Sequence, residues 1–60
     1  MSAAKRLKKY LEKLAARKTE IEGMMNDPLL LWDKWIHPDK EMIQKEYENI
    51  LKEINDNTKT

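Results

Sequence analysis

Cysteine, phenylalanine and valine are absent from these 60 residues, and glycine and serine occur once each, at Gly23 and Ser2. Without cysteine there is neither a disulfide framework nor a thiol nucleophile. With His37 as the one soft nitrogen ligand, a four-ligand zinc site is strongly disfavoured. A glycine-rich phosphate loop needs several glycines, and a serine triad needs a serine held in a structured site rather than beside the chain start. Five isoleucines and three threonines are the whole β-branched complement, so strands are disfavoured. The longest uncharged apolar stretch, Pro28 to Trp32, is far short of the roughly 20 residues that span a bilayer. Leu7, Leu11 and Leu14 are separated by lysines, unlike the apolar core of a signal peptide. These absences predict a cytoplasmic, non-enzymatic protein that needs no cofactor and no metal.

What is present is charge, and it is sorted along the chain. From Lys5 to Lys18 seven basic residues face one acid, Glu12, a balance of +6. From Thr19 to Thr60 five lysines face ten acids, a balance of −5, and the near-cancellation leaves a net +1. Either the basic end reaches for an external polyanion, or the two halves lie against each other.

The remaining residues are mostly good helix formers, Leu, Lys, Glu, Ala and Met. Ser2 is a suitable N-cap for a first helix. Ala4, Leu7, Leu11, Leu14, Ile21 and Met25 then recur at spacings of three, four or seven, a heptad seam interrupted by Lys18. Lys18 in that seam reads as a lysine whose amine reaches the edge, or as a polar residue that sets register. Gly23 or Asn26 should end the helix. Asp27-Pro28 has the cap-and-first-turn chemistry of a restart, and Leu29 to Ile36 is expected to form a two-turn helix that is apolar on nearly every side. His37-Pro38-Asp39 repeats the restart. A last helix is expected from Pro38 to about Asn55, with Ile43, Tyr47, Ile50, Leu51 and Ile54 as its stripe and Asp39 and Glu41 at the favourable end of its dipole.

The expected architecture is therefore all-α. Two long amphipathic helices form a hairpin with a short Leu/Trp-rich helix at the bend, assembled as a dimer or higher bundle. Residues 1–54 would be one helical domain and residues 55–60 a frayed polar tail. Antiparallel pairing should set Lys18 near Tyr47 and Leu11 near Leu51, with the basic edge of the first helix meeting Glu46 and Glu53. So short a chain buries only about 60% of its unfolded surface, which favours assembly.

Two groups of residues stand out. Leu29, Leu30, Trp32, Trp35 and Ile36 have the composition of an interface anchor, for a second copy or for a protein partner. Lys5, Arg6, Lys9, Lys13 and Arg17 make a basic face that can follow a phosphate backbone. Only Tyr10 interleaves with that face, and no base-reading pattern is present, so nucleic-acid binding there would be sequence-independent. Docking to a membrane surface is disfavoured, because the basic helix carries neither Trp nor Phe in its seam. His37 beside Asp33 or Asp39 has the residues of an acid–base pair, but it reads first as a helix-boundary histidine next to a capping acid. Asp39/Glu41 and Glu46/Glu48 are two apart and face different sides of a helix.

His37-Pro38-Asp39-Lys40 is similar to the tripeptide signature of J-domain co-chaperones, which lies between two helices and stimulates a partner chaperone ATPase. The likeness covers four residues and, more loosely, the presence of Tyr47 beyond them. Where that family has a long basic helix directly before the tripeptide, this chain has a Leu/Trp segment interrupted by Pro28. The function expected from the sequence is a small, self-associating helical protein that regulates another macromolecule by binding it. The alternative is a nucleic-acid-binding accessory protein that uses its basic first helix.

Overall fold

The computed structural model describes residues 3–58 as two α-helices, α1 (Ala3–Met25) and α2 (Pro38–Thr58), joined by a run of turns. No strand occurs among the described residues, and the chain folds as an antiparallel helical hairpin of 44 × 19 × 16 Å. Ser2, the expected cap of α1, lies outside the described residues.

Of the two expected ends for α1, Asn26 is the one used. Its amide and its side-chain Nδ2 both donate to the Glu22 carbonyl, at 3.0 and 2.9 Å. Gly23 sits inside the helix, with nothing within 4 Å of the position a Cβ would take. A helix-interior glycine of this kind costs about 0.5–1 kcal/mol relative to alanine.

The expected short helix over Leu29–Ile36 is replaced by consecutive turns. Asp27 Oδ1 accepts from the Leu29 amide at 2.9 Å, and the Asp27 carbonyl accepts from Leu30 at 3.3 Å. Leu31 then adopts φ 54°, a left-handed conformation that ends any right-handed helix. A second pair of turns follows, from Lys34 to the Leu31 carbonyl and from Trp35 to the Trp32 carbonyl. The physical reason is length and geometry: two turns of helix do not recover the nucleation penalty alone. The Trp32 carbonyl, which a helix would pair with the Ile36 amide, instead accepts from the Trp35 amide at 3.3 Å and from Lys40 Nζ at 2.6 Å.

α2 begins as the sequence expects. His37 is its N-cap: its carbonyl accepts from the Lys40 amide at 3.0 Å, and ring Nδ1 accepts from the Asp39 amide, also at 3.0 Å. Pro38 fills the first helical position, and Asp39 and Glu41 lie in the first turn. At its far end α2 continues past Asn55 to Thr58. Asn57 Nδ2 and Thr58 Oγ1 bond back to the carbonyls of Glu53 and Ile54, both at 2.8 Å, adding side-chain hydrogen bonds to the backbone of the last turn.

The two helices enclose a thin core. Ile21 is fully buried, Ile50 is 4% exposed and Trp32 8%. Around it the cross-helix polar contacts fix the register. Arg17 forks onto Glu46, with Nε and Nη2 at 2.8 and 3.0 Å from its two oxygens. Lys18 Nζ and the Tyr47 hydroxyl converge on Glu22 Oε2 at 2.9 and 2.8 Å. Tyr10 donates to Glu53. Of the two acids expected at the basic edge of α1, Glu46 meets Arg17, whereas Glu53 accepts from the Tyr10 phenol; Lys18 and Tyr47 meet at Glu22.

Candidate functional site

The bend is built from the ring side chains of Trp32, Trp35 and His37. Trp32 turns into the hairpin, and its ring centroid is 5.5 Å from that of Trp35 at an interplanar angle of 33°. Trp35 in turn stacks on His37, 5.0 Å between centroids and 12° between planes. Lys40 closes the group from α2: its Nζ lies 5.3 Å from the Trp32 ring centroid while it donates to the Trp32 carbonyl. A cation over an indole face is attractive, and here the same ammonium also ties α2 to the turn backbone.

The five residues expected to act as one anchor therefore divide. Trp32 is inside, Leu30 and Trp35 are half-buried, and Leu29 and Ile36 point outward at 91% and 96% exposure. Leu31 joins the outward pair at 58% exposure and carries the one positive φ among the described non-glycine residues. Bulky side chains rarely occupy that conformation, and such positions are concentrated at binding and switch segments.

The basic flank of α1 also divides. Lys5, Arg6, Lys9 and Lys13 are exposed. Arg6, Lys8, Lys9 and Lys13 make no ion pair with the described residues, whereas Arg17 is held by Glu46 and, at 3.1 Å, by Glu20. The ion pair that joins the two helices, Arg17 with Glu46, lies in the part of α1 nearer the bend. There the electrostatics follow from the contacts. Hydrogen bonding from Arg17 holds the Glu46 carboxyl below its ordinary value, and Lys18, followed by Tyr47, does the same for Glu22. The Tyr47 and Tyr10 phenols are raised by donating to Glu22 and Glu53. Lys18 is raised by Glu22, and Arg17 by Glu46 and then Glu20.

His37 acts structurally in this arrangement, through Nδ1. Its Nδ1 lone pair is occupied by the Asp39 amide, and the Asp39 carboxylate lies 3.6 Å from the same nitrogen. A ring accepting at Nδ1 carries no proton there, so the amide contact describes the pair and an ion pair does not. Among the described residues no three of His, Cys, Asp and Glu converge to hold a metal ion. No helix among them is long and apolar enough to cross a membrane.

Sequence reasoning did not single out Glu22 as the acceptor that joins the helices, Tyr10 as the partner of Glu53, or Lys40 as the clamp on Trp32. The first had a signal, since Lys18 and Glu22 are four apart on one helix and Tyr47 lies in the facing stripe. The Lys40 contact had none, because it depends on a turn that the apolar pattern disguises. His37-Pro38-Asp39 is the cap and first turn of α2, preceded by turns and not by a helix. Comparison with protein-family models, with curated proteins and with solved structures finds no match for this chain.

Proposed function

We propose that this protein is a small, non-enzymatic helical docking protein, which self-associates and acts by binding another macromolecule through its bend. The observation that carries this reading is the exposure of Leu29 and Ile36, 91% and 96%, on a chain whose buried apolar core is Ile21, Trp32 and Ile50. Nothing in the local packing requires large aliphatic side chains there, and polar residues in the same turns would avoid exposing apolar surface. Leu31, held at a strained φ beside them, adds to the same patch. Trp32, Trp35 and Lys40 give the patch a stiff backing, which lowers the entropy lost when a partner docks.

The test compares the wild type with Leu29→Ser/Ile36→Ser by sedimentation equilibrium and thermal melting. The wild type should exceed the 7.2 kDa of one chain in the micromolar range, and the double variant should keep the melting curve while losing mass. A wild-type mass of 7.2 kDa up to high micromolar concentration would refute self-association.

A second reading, sequence-independent nucleic-acid binding through Lys5, Arg6, Lys9 and Lys13, is favoured by one specific observation. Arg6, Lys9 and Lys13 are not neutralised by the acidic half of the chain, which engages Arg17 and Lys18 instead. Lys9→Gln/Lys13→Gln should flatten the salt dependence of affinity by about one unit of slope per lost phosphate contact. Absence of any complex with duplex or single-stranded nucleic acid at low salt eliminates this reading.

A further inference from the structure

The open end of the hairpin, opposite the bend, carries a second surface that the described residues leave uncovered. α2 covers one flank of the apolar stripe of α1 and leaves the other as a groove of about 480 Å³. Ala4, Leu7, Leu11 and Ala15 form its floor, Ile54 of α2 closes one side, and Lys8 and Glu12 stand on the rim. Leu7 is 41% exposed and Leu51, on the facing helix, 39%. The bend contributes no residue to this groove.

We infer that the groove is the contact for a second copy of this chain, with the two α1 helices crossing antiparallel about a two-fold axis beside Leu11. The inference deepens the proposed self-association and rests on it, while adding an interface the bend does not supply. Two features of the groove are self-complementary. The first is size: reversing Ala4, Leu7, Leu11, Ala15 about Leu11 lays Leu7 over Ala15 of the second copy, and Ala15 over its Leu7, so each large side chain meets a small one. The second is charge. Lys8 and Glu12 are one turn apart on the rim, so the same two-fold brings Lys8 of each copy within side-chain reach of Glu12 of the other, twice per dimer. The floor is α-helical throughout, and small residues at its ends allow close approach of two helix backbones. The contact converts the hairpin pair into a four-helix arrangement, which is how small chains without disulfides or metals enlarge their core.

The decisive experiment exchanges the rim charges. Association is measured by sedimentation equilibrium at low salt for wild type, Lys8→Glu, Glu12→Lys and the double exchange. Both side chains are exposed, so melting curves should show all four chains folded. Each single variant turns two attractive pairs into two repulsive ones and should weaken the dimer by about tenfold. The double exchange should restore it to within about threefold. As an independent readout, Leu11→Cys in this cysteine-free chain should give a disulfide-linked dimer on oxidation, and Ala16→Cys, on the opposite side of α1, should not. Single variants that associate like wild type, or a double exchange that fails to recover, would overturn the groove contact. An oligomer that survives the charge changes but dissociates with Leu29→Ser/Ile36→Ser would place assembly at the bend, ending this inference and leaving the proposed function intact.

Discussion

The two ends of this hairpin differ more than its two helices do. Toward the bend, Ile21 and Trp32 are buried, Arg17 forks onto Glu46, and Glu22 gathers Lys18 and Tyr47. Toward the open end, Tyr10 donates to Glu53, and Leu7 is 41% exposed at the edge of an apolar groove. The same heptad pattern runs through both regions, so the pattern alone does not decide how tightly a helix is held. What decides it is a third element: the turns at the bend supply Trp32 to one end, and none of the described residues supplies an equivalent to the other. A two-helix hairpin covers one flank of each stripe, and the other flank is the surface that the proposed second copy would cover.

Side-chain truncation at each end separates their contributions most strongly. Trp32→Ala removes the aromatic lid of the closed end and should cost about 3–5 kcal/mol, enough to abolish the cooperative melt of so small a chain. Leu7→Ala at the open end should cost under about 1 kcal/mol in dilute protein, because half-exposed positions forfeit little burial. Equal losses at the two sites, measured by thermal melting at low micromolar concentration, would erase the distinction.

Acid should loosen the closed end first. Glu22 and Glu46 have folded-state values below the ordinary 4.5, so their stabilisation is complete above that value and is lost as pH falls through the folded values beneath it. The phenols of Tyr10 and Tyr47 are raised above 10.0, so their contribution holds below that value and disappears as pH climbs through the folded values. A melting temperature followed against pH should therefore be flat through neutrality and fall at both extremes. Glu46→Gln should shallow the acid limb, and an unchanged limb would remove the Arg17 contact from the stability of the fold.

Smaller effects sharpen the same picture. Gly23→Ala, with open space around its Cβ, should stabilise α1 by about 0.5–1 kcal/mol. His37→Asn replaces a ring nitrogen by a preferred capping side chain and should leave α2 unchanged or firmer by a few tenths of a kcal/mol. A loss at Gly23 would mean that its conformation, not its missing side chain, is what the helix needs.

Much of the architecture was legible in the sequence. The 3.6-residue period of Leu7, Leu11, Leu14 and Ile21 announced α1, and Pro38 with Asp39 and Glu41 announced the start of α2. The acidic stripe of α2 facing Arg17 announced an antiparallel pairing with Glu46 and Glu53. The bend was misread because Leu29 to Ile36 carries no breaker between Pro28 and Pro38, and the left-handed turn falls on a leucine. Propensity has no means of marking that position. Lys40 then captures the Trp32 carbonyl from eight residues away, a tertiary contact that a local pattern does not contain. The split of the apolar cluster into an inward tryptophan and outward aliphatics was hidden for the same reason. The flank of α1 left open by α2 was hidden too, since a heptad seam shows that a face is apolar but not how much of it one neighbour covers.

Amide hydrogen exchange across a concentration series addresses most directly the idea that one end of this molecule is complete and the other is finished by a second copy. Protection at Ile21 and Ile50 should be the same in dilute and concentrated protein, whereas protection around Leu7 and Leu11 should rise as the concentration enters the range of association. Protection that is uniform along both helices and indifferent to concentration would contradict it.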